Sequence, residues 1–152
     1  PIFDPRGNML GVLDVTGDQR SYHQHTMGLV KMSARMIEND CFADAFAGVM
    51  RLHLHRRAES VDTPREGIVA VTREGAIAGA NRAALDQVGL SNAALRAHTL
   101  TSLLGTDVAA LVDRFRSPLA TSLELRLPDG ALCHVRARFD WPKLHRTSRA
   151  RA

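Results

Sequence analysis

The sequence is poor in several features that commonly stabilise or anchor small proteins. Among its 152 residues there are two cysteines, one tryptophan and one tyrosine. Cys41 and Cys133 lie outside any CxxC or Cys/His ligand spacing, so the pattern disfavours a disulfide framework and a cysteine metal site. No apolar run approaches the roughly 20 residues that span a bilayer, and "PIFDPRGN" has no basic then apolar leader. We therefore expect a cytoplasmic protein with reduced thiols and no membrane contact.

Acidic residues are absent from the last ten positions, and this absence accounts for the net charge of +4. The segment "KLHRTSRARA" carries four lysine or arginine residues, so residues 1–142 are neutral overall. A nucleic-acid-binding face requires basic residues on a folded surface. The distribution instead predicts a basic disordered tail at 143–152 and no direct DNA binding by this segment.

Motifs for catalysis are missing as well. A Walker A loop needs Gly-x4-Gly-Lys-Ser/Thr, whereas "GAIAGANR" has three residues between Gly75 and Gly79 and no lysine. The sequence also lacks the glycine spacing of a dinucleotide-binding loop and the G-x-S-x-G elbow of serine hydrolases. We therefore predict no catalytic residues and no enzyme. Gly75 is expected to turn a hairpin, and Gly79 to relieve crowding at a strand end.

The N-terminal third predicts a hairpin followed by a long helix. "DPRG", residues 4–7, has the residue preferences of a type I turn, and "MLGVLDV" after it favours a strand. A helix without proline is predicted from about Gln24 to about Leu54. Its narrow apolar stripe indicates packing on another helix, in this chain or another, or on the sheet of its own domain. The stripe consists of Val30, Ala34, Ile37 and Cys41.

A polar segment, "HRRAESVDTPRE", is typical of a linker, and a second domain is predicted from about Arg65. Two short strands, "GIVAVT" and "AIAGA", are followed by a helix that Asn81 caps and Gly89 ends, and then by further short helices. This order of elements predicts an α+β domain rather than a doubly wound sheet.

The last hairpin can be derived in register. Leucines alternate with polar residues before "PDG", and apolar residues alternate with polar ones after it. Opposed residues must share a face, because a slip of one residue turns a whole strand over. The pairing that satisfies this condition fixes a three-residue loop, Pro128-Asp129-Gly130. The predicted pairs are Leu127 with Ala131, Leu125 with Cys133, and Leu123 with Val135.

Two His-x-His pairs, at His23/His25 and His53/His55, raise the possibility of metal binding. On a strand both side chains share a face and can reach one ion, whereas on a helix they point about 200° apart. "HLH" falls at the predicted helix end, so we expect no metal site. A metal-binding protein that uses these pairs is kept as a third hypothesis.

Two segments resemble a known family. "PIFDPRGNMLGVLDVTG" with "HTMGLVKMSARMIEN" is similar to the C-terminal end of a GAF domain in sigma-54-dependent activators of the acetoin/glycerol catabolism type. "EGIVAVTREGAIAGANRAALDQVGL" is similar to the start of the PAS domain that follows it. The resemblance implies a fragment with five parts. These are the GAF hairpin (1–22), a connecting helix (23–55), a linker (56–64), a PAS-like domain (65–142) and a basic tail (143–152).

The resemblance implies a cytosolic bacterial sensory segment that couples a signal to output domains. Those output domains, an ATPase and a DNA-binding helix-turn-helix, have no counterpart in this sequence. By this resemblance the chain carries only the last part of a GAF domain, which suggests a fragment, and its abruptly basic end fits a truncated or frame-shifted gene. The alternative is the same sensory pair from a histidine kinase or another signalling enzyme. A homodimer through the connecting helix and a small-molecule effector are the expected partners.

The PAS resemblance implies the strand order 2-1-5-4-3, and no fifth strand follows the last hairpin in the sequence. We therefore predict an incomplete sheet of four strands. The flavin-binding type of PAS domain has an adduct-forming cysteine on a helix, whereas Cys133 is predicted on a strand. A haem would need an axial histidine, and His98 is the only helical candidate, so neither cofactor is supported. No cofactor is expected. The inner face of the domain would supply either a dry core or a pocket. Its candidate residues are Ile68, Ala70, Leu85, Val88, Leu103, Leu123, Leu125 and Val135.

Overall fold

The computed structural model of the chain describes residues 1–17 and 24–139. These residues form an α+β fold, as the sequence predicts, with a two-stranded and a five-stranded antiparallel sheet. The strands are β1 (Ile2–Phe3), β2 (Met9–Gly11), β3 (Met50–His55), β4 (Gly67–Val71), β5 (Ile77–Ala80), β6 (Leu123–Arg126) and β7 (Leu132–Phe139). The helices are α1 (Gln24–Ala45), α2 (Arg82–Val88), α3 (Asn92–Arg96), α4 (Leu100–Leu104) and α5 (Val108–Phe115).

The N-terminal hairpin forms around the predicted turn. The Asp4 carboxylate accepts hydrogen bonds from the backbone N–H groups of Arg6 and Asn8, at 2.9 and 2.8 Å. Gly7 adopts a φ of +90°, which a residue without a Cβ reaches at no steric cost. The strand after the turn is shorter than "MLGVLDV" suggests, because only Met9–Gly11 pairs with β1.

The predicted extent of the long helix is wrong, because α1 ends at Ala45 and β3 begins at Met50. Gly48, with a φ of +84°, lies between the two elements in a conformation that a helix cannot continue through. The segment "MRLHLH" alternates apolar with polar residues, which is the period of a strand. Its three apolar side chains are fully buried and point to the same side of the sheet.

β3 occupies the centre of the five-stranded sheet, whose order is β5-β4-β3-β7-β6. It pairs antiparallel with β4 through Leu52↔Val69 and with β7 through Leu52↔Ala137. The prediction of four strands is therefore wrong. The resemblance assigns the central place of the sheet to a strand that follows the last hairpin. In the structure β3 occupies that place, and β3 precedes all the other strands of this sheet in the chain. The predicted disorder at 143–152 lies outside the described residues.

The segment 56–64 connects two neighbouring strands of this sheet. It contains a short 3-10 helix at Ala58–Ser60 and, at Asp62, the single non-glycine residue with positive φ in the described ranges. A polar connection between adjacent antiparallel strands has the composition of an interdomain linker, because both must satisfy backbone groups at the surface.

The last hairpin has the predicted register. Leu123 pairs with Val135 and Leu125 with Cys133, and the Leu127 N–H donates to the Ala131 carbonyl at 2.8 Å. Gly130 takes the left-handed position of the three-residue loop, with a φ of +83°. The sequence thus determined this hairpin completely, since only one pairing keeps both apolar faces together.

The two faces of the five-stranded sheet have different coverings. One face packs on α2 to α5 and forms the main core, which includes Val69, Leu95, Leu103, Leu111 and Val135. The other face is covered over β4 and β5 by the C-terminal part of α1, where Phe42 packs with Ile68 and Ala70 in a second, smaller cluster. Helix α1 is therefore part of the same packed unit as the sheet.

Candidate functional site

The C-terminal part of α1 is held on the sheet by two aromatic rings. Phe42 is 1% exposed, and its ring centroid lies 4.7 Å from that of Phe46 in a tilted arrangement. A Cβ at Gly79 would lie 2.5 Å from the Phe46 ring, closer than real contacts allow. The predicted role of Gly79, relief of crowding, is thus confirmed, because its missing side chain leaves room for the ring of Phe46, which directly follows α1.

The turn of α1 that precedes Phe42 contacts the N-terminal hairpin. The Glu38 carboxylate accepts a hydrogen bond of 2.8 Å from the backbone N–H of Phe3 in β1. It also lies 3.6 Å from the guanidinium of Arg82, the first residue of α2. That guanidinium sits over the ring of Phe3, 4.4 Å from its centroid, in cation–π geometry. Glu38 and Arg82 therefore join β1, α1 and the start of α2.

The neighbouring residue on α1, Asn39, contacts the sheet domain. Its side-chain oxygen accepts a bond of 2.9 Å from the Asn81 amide, which also donates to the Glu66 carbonyl. The Asn81 oxygen accepts from the backbone N–H groups of Ile68 and Ala84, both at 2.9 Å. Asn81 is 8% exposed, so these bonds form where water does not substitute for them. The predicted helix cap is confirmed, and Asn81 additionally links α1, β4 and α2.

Glu66 extends this polar network across β3. One of its carboxylate oxygens lies 2.7 Å from Nδ1 of His53, and both residues are buried. The other oxygen accepts from the backbone N–H of Asp62. A buried carboxylate requires such partners, because burial without them costs several kcal/mol. The Glu66–His53 pair thus carries the network from β4 to the central strand.

Asp62 completes the network on β7. Its two carboxylate oxygens lie 2.8 Å from the Arg138 guanidinium and 3.4 Å from Nε of Arg136. Its φ of +64° is a conformation that aspartate tolerates better than most residues, because its short side chain bonds to nearby backbone. A continuous chain of polar contacts therefore runs from Asn39 on α1 to the arginines of β7.

The histidine pairs are placed differently from the prediction. "HLH" lies on β3, so His53 and His55 share a face, and the assignment of these residues to a helix end is wrong. The ligand atoms of His53, Asp62 and Glu66 lie within 4.8 Å of one another, which makes them a candidate metal group in the described ranges. His55 is not in this group. Its Nδ1 accepts a hydrogen bond from the backbone N–H of Arg57.

The carboxylates of that group already have partners in the protein. Asp62 is paired with Arg136 and Arg138, and Glu66 is hydrogen bonded to His53. A divalent cation would have to compete with both arginines for the same carboxylate. This arrangement favours an ion-pair network over a metal centre. His25 lies at the exposed start of α1, and His23 lies outside the described residues.

The eight predicted lining residues are divided between the two faces of the sheet. Ile68 and Ala70 belong to the cluster under α1. The other six, Leu85, Val88, Leu103, Leu123, Leu125 and Val135, belong to or pack against the main core. The strand β4 is buried on both faces, so its sequence has no alternation of apolar and polar residues that would assign each side chain to one face of the sheet. The eight residues do not line one common pocket.

Two cavities instead flank the Glu38–Arg82 contact. The first, of about 530 Å³, lies between α1, the start of α2 and the segment that follows β2. The second, of about 550 Å³, lies beside the turn of the N-terminal hairpin. Both are lined by Glu38, Asn81 and Arg82. Cavities of this size accommodate small organic molecules, and these combine apolar walls with a few charged groups.

The two thiols differ in chemistry. Burial raises the pKa of Cys133 to about 11, so this thiol is protonated and unreactive near neutrality. Cys41 is a half-buried free cysteine on α1. His98, the candidate for an axial ligand, lies between α3 and α4, with its Nδ1 3.0 Å from the Ser102 hydroxyl. Burial, followed by the charge of Arg57, lowers the pKa of His55.

Sequence reasoning missed Glu38, Asn39, Glu66 and Asp62. Three polar residues, 38–40, stand between Ile37 and Cys41, and this spacing did not distinguish the first two from a solvated helix face. Glu66 and Asp62 stand in a polar segment that is rich in charges, where no pattern distinguishes a buried side chain from a solvated one. Their role depends on the placement of β3.

Comparison with known proteins gives one informative similarity. A curated protein from Clostridium beijerinckii, described as a signal-transduction and transcriptional-control protein, is 29% identical over 90 residues. The match covers 59% of this chain and 14% of that protein, so the chain spans a small part of its relative. No family model matches the chain, and no solved structure matches it significantly. The similarity supports a regulatory sensory region in general. None of the described helices is both long and apolar enough to cross a membrane.

Proposed function

We propose that this chain is a sensory and signal-coupling segment of a bacterial transcriptional regulator, and that it has no catalytic activity of its own. The observation that carries the proposal is the position of Glu38 and Asn39. These consecutive residues of α1 bind two different bodies, the N-terminal hairpin and the sheet domain. A movement of the N-terminal hairpin or of the sheet domain therefore changes the position of this turn of α1, and with it the contact that the turn makes with the other.

The finer proposal is a regulator of the sigma-54-dependent acetoin/glycerol type, with a GAF-derived hairpin and a PAS-like sheet domain. Its support is the sequence resemblance together with the strand order. Reading β4, β5, β6 and β7 as the first four PAS strands gives the order 2-1-x-4-3, with β3 at the central place. ATP hydrolysis and DNA binding would then belong to other parts of a longer cytoplasmic protein.

The effector of such a segment would bind in the cavities beside the Glu38–Arg82 contact. Their walls include residues of all three elements that meet there. A small molecule that contacts Arg82 or Glu38 would compete with the contact between these residues. It would thereby change how the hairpin sits on α1. The proposed effector is a small polar molecule with an apolar part, since the cavities offer both kinds of surface.

The proposal is tested by exchange into the relative. The 90-residue region of the Clostridium protein is replaced by the matching part of this chain, and transcription from its target promoter is measured. We expect regulated transcription from the chimera, and we expect Asn81→Ala to abolish the response, with the response normalised to the protein level because this substitution also destabilises the fold. Ser91→Ala, which removes a cap of α3 only, serves as the matched control. A chimera whose response is indifferent to Asn81→Ala would contradict the proposal.

A further inference from the structure

Exposed apolar side chains are concentrated in one part of the chain. Eight of the ten large apolar residues that are exposed in the described ranges lie between Met9 and Ile37. Surface residues of this kind are ordinary when they are scattered, but a contiguous group marks a surface that another molecule covers. On α1 the group includes Leu29, Met36 and Ile37, which are 68%, 51% and 39% exposed.

These residues form a stripe on the side of α1 that turns away from the sheet. At 100° per residue, Leu29, Ser33, Met36 and Ile37 fall within about 100° of the helix circumference. Glu38 and Phe42, which hold α1 on the rest of the chain, point to the opposite side. Among residues 1–17 and 24–139, the contacts of α1 therefore leave this stripe without a covering.

The stripe is symmetric about its midpoint. Leu29 and Val30 precede Ser33 by four and three residues, and Met36 and Ile37 follow it by three and four. A two-fold axis through Ser33 therefore places apolar residues of one helix against apolar residues of another. The small side chain at the centre allows the two helices to approach closely. Such self-complementarity is the property that an interface between identical chains requires.

Charge selects the direction of the pairing. Asp40 and Asp44 continue the stripe toward the C-terminus of α1, whereas Lys31 and Arg35 lie on another side of the helix. Parallel helices would set each aspartate beside its own copy. Antiparallel helices crossing at Ser33 set Asp40 near His25 and Thr26 of the other copy and bring no two acids together.

We propose that α1 pairs with α1 of a second copy of this chain, antiparallel and crossing at Ser33, so that Leu29 lies against Met36 and Ile37 of its partner. The two sheet domains then lie at opposite ends of the helix pair. The overlap is the N-terminal part of α1, from about residue 26 to residue 40, or about 22 Å of helix.

Cysteine cross-linking of the full chain tests the pairing. Cys41 is replaced by serine, and buried Cys133 is retained. In this background Ser33→Cys is expected to cross-link to itself on mild oxidation, whereas Met27→Cys, on another side of α1, is expected not to. Absence of a Ser33→Cys cross-link, with a monomer in sedimentation equilibrium at high concentration, would overturn the proposal.

The direction is tested in the same background with two variants that each carry one added cysteine and tags of different size. An equimolar mixture of Leu29→Cys and Met36→Cys is expected to give mainly the mixed dimer, and each variant alone little dimer. Efficient cross-linking of each variant with itself would show parallel helices and refute the antiparallel register. Leu29→Glu is expected to weaken the dimer, so that the dissociation constant measured by sedimentation equilibrium rises at least tenfold. An unchanged profile would place the interface elsewhere. Neither assay depends on transcription, so their failure is distinct from failure of the regulatory proposal.

Discussion

Substitution of Asn81 by alanine should be unusually destabilising for a change of one small polar residue. The side chain makes four hydrogen bonds, to Asn39, Glu66, Ile68 and Ala84, at a position that is 8% exposed. Loss of a helix cap costs about 1 kcal/mol. The buried Ile68 N–H and Glu66 carbonyl would each lose a partner, at about 1 kcal/mol or more apiece. We therefore expect a loss of about 3 kcal/mol, a large part of the 5–15 kcal/mol typical of a domain.

Urea denaturation followed by circular dichroism measures this loss. Ser91→Ala is the matched control, because the Ser91 hydroxyl caps α3 through one exposed bond of 3.2 Å. Its expected cost is about 1 kcal/mol. A double-mutant cycle with Asn39→Ala should give a coupling energy of about 0.5–1.5 kcal/mol, because the two amides are in direct contact. An Asn81→Ala variant no less stable than Ser91→Ala, or a coupling energy near zero, would refute the reasoning.

Three further outcomes follow from the same structure. Gly67→Ala should destabilise the fold by about 1–3 kcal/mol, because its Cβ would lie 2.6 Å from the Ala84 Cα; Gly28→Ala, in open space on α1, should stabilise it by up to about 1 kcal/mol. If urea denaturation showed that both substitutions change the free energy of unfolding in the same direction, this contrast would be contradicted. Iodoacetamide at pH 8 should modify Cys41 in the native protein and Cys133 only after unfolding, and equal rates in the mass spectrum would show that the thiol of Cys133 is accessible. The Cys133 pKa, raised by burial from 9.0 to about 11, keeps the folded thiol protonated while the unfolded one ionises. Stability should therefore fall as the pH rises from 9 to 11, by more than in Cys133→Ala; identical pH profiles would contradict it.

The elements that the sequence predicted correctly are those fixed by local chemistry. The turn at Asp4 to Gly7, the cap at Asn81 and the loop before Ala131 each depend on residues within five positions of one another. The last hairpin was derived down to its residue pairs, because only one register hides both apolar faces.

The elements that were missed depend on contacts between distant parts of the chain. "MRLHLH" follows a helix and has a strand's alternation, yet its partners, β4 and β7, stand 13 or more residues away at their nearest paired positions. A local pattern cannot show that a strand placed early in the chain fills the centre of a sheet. The network of His53, Glu66 and Asp62 was missed for the same reason. Their polar side chains come together only when β3 lies between β4 and β7.

In the proposed function, a change on α1 reaches the sheet through Asn39 and Asn81. Amide hydrogen exchange in Asn39→Ala, residue by residue, measures this most directly. The Asn39 side-chain oxygen accepts a hydrogen bond from the Asn81 NH2 group, and the Asn81 oxygen accepts bonds from the N–H groups of Ile68 and Ala84. We expect faster exchange of the Ile68 and Ala84 amides in this variant than in the unaltered protein. Exchange that changes only within α1, with Ile68 and Ala84 as protected as before, would contradict it.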